Sequence, residues 1–335
     1  MKNTTIPATR QQSSCDRISE KKLLPTRRYR TLKTHLKDRY GGIVKKIPLD
    51  AGLSCPNRDG TISTKGCAFC NPRGSGTGLA EIGLTLADQY MLWHERFESR
   101  DTFRGYLAYL QSFTNTHAPA PVLRNILSGL RGLPDLIGLC IGTRPDCLDE
   151  EKTTIIAKQD YPETWVEIGL QTSCDETLRR INRGHTSACF ARAARMVSRQ
   201  GLQICVHVIA GLPGESPEDF LRTINFLNDL PVHGIKIHCC YVGRNTTLAK
   251  WWTSGNYHPL SMEEYASWAA AAVIRLRPDI VIHRLNSDPA PGELLAPGWI
   301  ADKPSTLREI HHELRRSNIV PDSSRQTCPQ EPLGK

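Results

Sequence analysis

CPNRDGTISTKGCAFC, residues 55–70, carries three thiols, Cys55, Cys67 and Cys70, with eleven residues between the first pair and two between the second. Thiolates ligate iron–sulfur clusters, as a rule four to a cubane. Three clustered cysteines therefore suit three irons and leave the fourth open to another ligand. Gly60 and Gly66 let the loop wrap around a compact object, and Phe69, between the last two thiols, is placed to shield it from water. A structural zinc site would need a fourth protein ligand from elsewhere in the chain. A thioredoxin-like redox pair would leave Cys55 without a role. The spacing favours iron–sulfur over both.

Composition agrees with a reducing compartment. Of 335 residues, 39% are hydrophobic and 23% charged, ordinary values for a globular protein. No apolar run approaches the roughly 20 residues of a membrane span. The opening residues MKNTTIPATRQQSSCDRISEKK lack the apolar core of a secretory signal, so a cytoplasmic location is expected. Cys140, Cys189, Cys205, Cys239 and Cys240 sit in apolar or small-residue contexts and read as buried thiols, not as a disulfide framework. The first fifty residues hold thirteen Lys/Arg against four Asp/Glu and account for the whole net charge of +9. Such a basic arm suggests a polyanionic partner, with RNA the natural candidate, as much as it suggests a merely solvated tail.

The chain between is read as alternating strands and helices. Tyr29, Leu32, Leu36 and Tyr40 have helical spacing, ended by Gly41-Gly42. Strands are expected at 43–49, 105–113, 136–143, 165–170, 203–209 and 234–239, with helices at 84–99, 121–131, 149–159, 174–182, 187–200 and 217–229. Buried parallel strands need helical crossovers. Polar residues recur just after nearly every strand: the cysteine loop, Thr114-Asn115, Arg144 and Asp146, Gln171, and GLPGES at 211–216. One rim collecting all of them argues for a partial (β/α)6 barrel over an open doubly wound sheet. The expected organisation is a disordered basic arm over 1–27, a barrel over 28–245, a small α+β extension over 246–320 and a disordered tail over 321–335. In the extension, a strand at 280–285 precedes a helix near 305–317.

The cysteine trio resembles the cluster-binding loop of the radical S-adenosylmethionine (SAM) superfamily, with a longer first gap than usual. The long gap is similar to that of the Elongator catalytic subunit group. AYLQSFTNT (108–116), IGTRPDCL (141–148), EIGLQTSCDETLRRINRGHT (167–186), HVIAGLPGES (207–216), HGIKIH (233–238) and IVIHRL…LLAPGW (280–299) strengthen the match. Together these resemble the YhcC-type Fe–S oxidoreductases, which share the radical SAM core and C-terminal extension. The resemblance implies a [4Fe–4S] cluster on Cys55, Cys67 and Cys70, SAM bound at its open iron, a 5′-deoxyadenosyl radical that abstracts substrate hydrogen, and a one-electron donor.

It also implies roles for other residues. Gln171 and Arg183 match a pair that contacts SAM, although Gln171 alone could be a helix-entry residue and Arg183 a surface cation near a helix end. Thr114 and Asn115 stand where the superfamily meets the SAM amino group, but its usual Gly-Gly-Glu is missing. Ile209 and Gly211 resemble the element next to adenine. Lys236, His238, Tyr106 and His207 are candidates to face the barrel interior, each also suited to a structural role. Cys239 and Cys240 read first as buried. His283 and Arg284 recur in the resemblance without a derivable role. The expected substrate is RNA or tRNA; rival expectations are a radical enzyme acting on a small metabolite and a non-catalytic RNA-binding scaffold with a structural metal.

Overall fold

The computed structural model describes residues 27–321 apart from 72, 73, 75, 77 and 99–102. The basic arm and the tail lie outside these residues except at their inner ends, and there the expectation of disorder is corrected. Arg27–Tyr29 is a strand paired in parallel with Ile319–Pro321. Tyr29 thus belongs to a strand and not to the first helix. Helix α1 (Leu32–Tyr40) begins where Thr31 and Thr34 form a reciprocal capping box, and ends at the left-handed Gly41.

Seven parallel strands follow, each hydrogen-bonded to its neighbours in chain order. They are β1 (Ile43–Leu49), β2 (Phe103–Leu110), β3 (Leu136–Thr143), β4 (Glu163–Gln171), β5 (Gln203–Ala210), β6 (Gly234–Cys239) and β7 (Val281–Arg284). The expected count of six is corrected: the strand assigned to the extension pairs with β6 and becomes the seventh of the main sheet. The crossovers are α2 (Leu86–Glu98), α3 (Ala120–Ser128), α4 (Glu150–Ala157), α5 (Asp175–Arg180) with α6 (Ser187–Arg199), α7 (Pro217–Asn228), and α8 (Thr247–Thr253) with α9 (Met262–Arg275). Helix α10 (Lys303–Arg316) closes the series. Ser216 and Ser261 cap α7 and α9 in reciprocal boxes with Asp219 and Glu264. Residues of α9 and α10, including Tyr265, Val273, Ile310 and Leu314, share one apolar core with the outer faces of the strands.

Side-chain contacts across the interior show that the sheet curls. Strands β2 and β6 are four spacings apart, about 19 Å in a flat sheet at roughly 4.8 Å per strand. Yet Lys236 Nζ on β6 lies 2.9 Å from the Tyr109 hydroxyl on β2. Lys46 Nζ on β1 likewise reaches Glu167 Oε1 on β4 at 2.6 Å. The sheet is a half-barrel with these residues inside it.

Strand β4 measures the interior from floor to rim. Successive strand residues face opposite sides, so Glu163, Trp165, Glu167 and Gly169 share the inward face. At the floor, Glu163 is buried and accepts from Trp165 Nε1 at 2.7 Å and the Tyr40 hydroxyl at 3.0 Å, and pairs with His35 at 3.1 Å and Arg39 at 3.3 Å. Helix α1 therefore closes the floor. Leu36, Leu107, Cys140, Trp165, Cys205 and Val281 form the apolar plug above it. Cys140, Cys205, Cys239 and Cys240 are buried as expected, whereas Cys189 is only partly so. Tyr106 does not face the interior. It lies on the opposite face of β2 from Tyr109 and packs among Tyr90, His94, Phe97 and Phe103.

Burial opposes the charge of Glu163, but the His35 and Trp165 hydrogen bonds outweigh it and hold the carboxyl below its ordinary value of 4.5. A depressed folded-state value means that this stabilisation is full above about pH 4.5 and is lost as pH falls further. Glu163→Ala, which strands buried donors, is expected to cost about 3–5 kcal/mol at pH 7. Urea unfolding checks this, and the variant's stability should fall less steeply than the wild type's below pH 4.5.

Candidate functional site

The cysteine loop leaves the carboxyl end of β1 and is pinned by side chains from the turn after α5. Asn57, fully buried, donates from Nδ2 to the Asn182 carbonyl and lies 3.4 Å from Cys67 Sγ. Asn182 donates in return to the Gly66 carbonyl at 2.7 Å and to Ser63 Oγ at 3.2 Å. The Ala68 N–H donates to the Ile181 carbonyl at 2.9 Å, and Arg58 Nη2 donates to the Cys70 carbonyl at 2.8 Å. Beyond Cys70, Asn71 Nδ2 donates to Glu293 Oε1 at 2.8 Å, so the C-terminal segment also holds the loop.

The donors fit a multi-iron cluster better than a single ion. Among the described residues, the His, Cys and carboxylate groups whose ligating atoms all lie within 4.8 Å of one another are Glu167–Cys205–His283 and Glu309–His312–Glu313. The three sulfurs of the cysteine loop are therefore spread more widely. One tetrahedral Zn²⁺ with bonds of about 2.3 Å would draw its thiolates to about 3.8 Å. Burial and the neighbouring Cys67 push the Cys70 thiol up, against the opposing charge of Arg58; a bound metal's charge reverses that preference and favours thiolate. Arg144 is buried beside these sulfurs. It pairs with Asp146 through Nε at 2.9 Å and Nη2 at 2.8 Å, and its Nη1 is a buried donor without a partner among the described residues.

Arg183 and Gln171 converge on the same place. Arg183 Nη2 donates to the Gly169 carbonyl at 2.7 Å, Nε to His185 Nε2 at 3.0 Å, and Nη1 lies 3.5 Å from Cys67 Sγ. Burial, with the charges of Arg183 and Arg144, pushes His185 down to about 3, so its ring is the neutral acceptor that Arg183 requires. Gln171 is buried at the end of β4 with φ 78°, next to a register shift in the β4–β5 pairing. That turn brings its amide back beside Gly169. A Cβ on Gly169 would stand 2.6 Å from Arg183 Nη2 and 2.7 Å from Gln171 Nε2, so a side chain here would push both of these side-chain ends aside.

These residues line a cavity of about 240 Å³ with Cys55, Cys67, Cys70, Thr114, Arg144 and Ile209. Two expected site residues are not among its lining. Asn115 is fully buried and spends its amide on the Leu110, Ser112 and Gly142 carbonyls at 3.0, 3.1 and 2.9 Å, which folds the turn that presents Thr114. Gly211 adopts φ 79° with Leu260 2.8 Å from where its Cβ would be, and its carbonyl accepts from the Tyr257 hydroxyl at 2.8 Å. Both shape the rim without reaching the cavity.

Below this rim lies a charged layer centred on Glu167, a residue inside a recognised segment to which the sequence assigns no role. Glu167 is fully buried; Oε1 takes Lys46, and Oε2 takes Lys236 and, at 2.9 Å, His207 Nε2. Burial opposes its charge, but Lys236 and Lys46 overcome that and hold the carboxyl well below its ordinary range. Burial and Lys236 push His207 down to about 4. His207, Lys236, His238 and Arg284 line the cavity together with Tyr109 and Glu167. The signal was present as charges inside otherwise apolar strands, Glu167 alone in WVEIGL and Lys46 next to Lys45 in IVKKIPL. Gly169→Ala is expected to displace Arg183 and Gln171 and to weaken SAM binding at least tenfold, while the cysteines still take up iron and sulfide; equilibrium dialysis with labelled SAM and an iron assay on the same sample check it.

The chain matches the "Radical SAM superfamily" description over residues 60–227 and the "Radical_SAM C-terminal domain" description over 232–316. It is 36% identical over 284 residues to the Escherichia coli K12 protein YhcC, covering 84% of this chain and 90% of that one. It is 35% identical over 126 residues to a tRNA uridine(34) acetyltransferase of Dehalococcoides mccartyi, covering 37% of this chain and 27% of that protein. In fold it resembles the archaeal Methanocaldococcus infernus Elp3, with a TM-score of 0.62 at 16% identity, over 81% of this chain and 63% of that structure. Among the described residues no helix is long and apolar enough to cross a membrane. With two successive family descriptions following the half-barrel and its last strand, the chain belongs to the radical SAM superfamily, whose members use a [4Fe–4S] cluster and SAM.

Proposed function

We propose that this chain is a radical SAM enzyme in which Cys55, Cys67 and Cys70 hold the cluster and the described cavity receives SAM and substrate. When bound, the cluster and SAM supply one-electron chemistry and a 5′-deoxyadenosyl radical able to take a hydrogen atom from a substrate. The observation that carries this assignment is Arg183, held on the Gly169 carbonyl with its third nitrogen 3.5 Å from a cluster cysteine. From there a guanidinium fork can meet a carboxylate beside the cysteine loop. Gln171, on the other side of Gly169, offers an amide for ribose hydroxyls. Thr114 and Ile209 complete the wall, and the plug around Trp165 keeps water from entering through the floor. Anaerobic reconstitution with iron and sulfide, then dithionite and SAM, is expected to yield 5′-deoxyadenosine. Cys67→Ala should reduce it to background, and unchanged turnover would refute the ligand assignment.

RNA, and tRNA in particular, is the substrate class we favour, because a relative of this chain is a tRNA uridine(34) acetyltransferase and the net charge of +9 comes from the first fifty residues. Within the described residues, exposed Lys33, Lys37 and Arg39 stand on α1, at the floor of the barrel and not at its mouth. RNA bound through them would have to reach around the sheet edge. That placement favours the second reading, a small substrate that enters the barrel. Filter binding across a salt series separates the two: an RNA substrate predicts tRNA retention that falls steeply as salt rises. Retention that is absent, or indifferent to salt, would remove RNA.

A further inference from the structure

The charged layer inside the barrel is one partner short. Glu167 has both oxygens occupied, by Lys46 on one side and by Lys236 and His207 on the other. Lys236 spends a further proton on the Tyr109 hydroxyl at 2.9 Å. Arg284, at the end of β7, sits opposite Lys236 in the strand register and lines the same cavity half-buried. Among the described residues its side chain makes no hydrogen bond and no ion pair. The other carboxylate on the cavity wall, Asp288, is engaged by Lys303 at 2.5 Å. His238, also on the wall, is driven well below its ordinary value by burial, then by His207 and Arg284, and is therefore a neutral ring with one N–H to give.

The interior thus sets three cations, Lys46, Lys236 and Arg284, against one buried carboxylate. A partly desolvated cation without a counter-ion is costly, and an incoming anion relieves that cost. A guanidinium presents a planar fork that matches a carboxylate or a phosphate through two parallel hydrogen bonds. Arg183 is a different station: it stands on the cysteine side of the cavity, 3.5 Å from Cys67 Sγ, where the proposed function assigns it to SAM. The arginines on the cysteine side of the cavity are engaged, Arg58 by the Cys70 carbonyl, Arg144 by Asp146 and Arg183 beside Cys67, whereas Arg284 stands uncommitted on the β6–β7 side.

We propose that Arg284, with His238 beside it, is the receptor for an acidic group of the substrate, a carboxylate or a phosphate, which anchors the substrate inside the barrel. The proposal rests on the radical SAM assignment of the cavity and adds the chemical class of what enters it. The test uses the reconstituted, unreduced holoenzyme saturated with SAM, so that the Arg183 station is filled. It is titrated calorimetrically with inorganic phosphate in one arm and with succinate in the other. Saturable binding of at least one probe is expected, weakened at least tenfold in Arg284→Gln and partly restored in Arg284→Lys, with thermal unfolding confirming that each variant is folded. The probe that binds identifies the acidic group. Binding of neither probe to the wild type, or equal binding by a folded Arg284→Gln, would overturn the proposal. Formation of 5′-deoxyadenosine by the wild type is scored separately: its absence would sink the radical assignment, while the anion titration would still be read on its own terms.

Discussion

One buried carboxylate governs the interior of this half-barrel. Glu167 meets Lys46 from the first strand, His207 from the fifth and Lys236 from the sixth. The first and sixth strands would lie five spacings apart if the sheet were flat, so the ion network and the curl of the sheet require one another. A buried ion pair is a poor source of net stability, because removing the charges from water offsets most of their attraction. Bulk stability comes instead from the apolar contact of strands and helices on the outer face. The network contributes a polar, pre-arranged space at a fixed depth, in a position that apolar side chains would otherwise fill.

Strand β4 carries that organisation from one end of the barrel to the other. Its inward positions run Glu163, Trp165, Glu167 and Gly169, and its last residue is Gln171. The first glutamate ties helix α1 across the floor, the indole fills the plug, and the second glutamate gathers the cations. The glycine then yields its space and its carbonyl to Arg183. Trp165 is therefore both a packing residue and a separator: it keeps the floor carboxylate, with its own donors, apart from the one that faces the cavity. The cysteine loop rests on this column through Arg183 and Asn182, and the C-terminal segment holds it from the far side through Glu293 and Asn71.

The C-terminal segment is more than an appendage in this arrangement. It supplies the seventh strand, the uncommitted Arg284, and the carboxylate that anchors the end of the cysteine loop. Its helices α9 and α10 also share the apolar core of the barrel. The half-barrel therefore does not end where the repeating strand–helix pattern of the sequence stops.

Local features of the sequence were enough to place most elements, because they depend on neighbours a few residues away. Side-chain alternation marks a strand, and a serine or threonine three residues before its partner marks a helix start. The cysteine trio, Gln171 and Arg183 were legible for a similar reason, being carried by short contiguous motifs. What the sequence could not show is which inward residues meet. Asn115 and Gly211 sit beside motif residues, yet they turn to backbone and to Leu260, while Tyr106 and Tyr109, three apart, face opposite sides of one strand. Glu167 lies more than a hundred residues from both Lys46 and Arg284, and only the accumulated twist of seven strands brings Lys46 onto its carboxylate and Arg284 into the same cavity. Elements and the cysteine motif were determined by local sequence; the charge pattern within the barrel was decided by the curvature of the whole sheet, which no local period encodes.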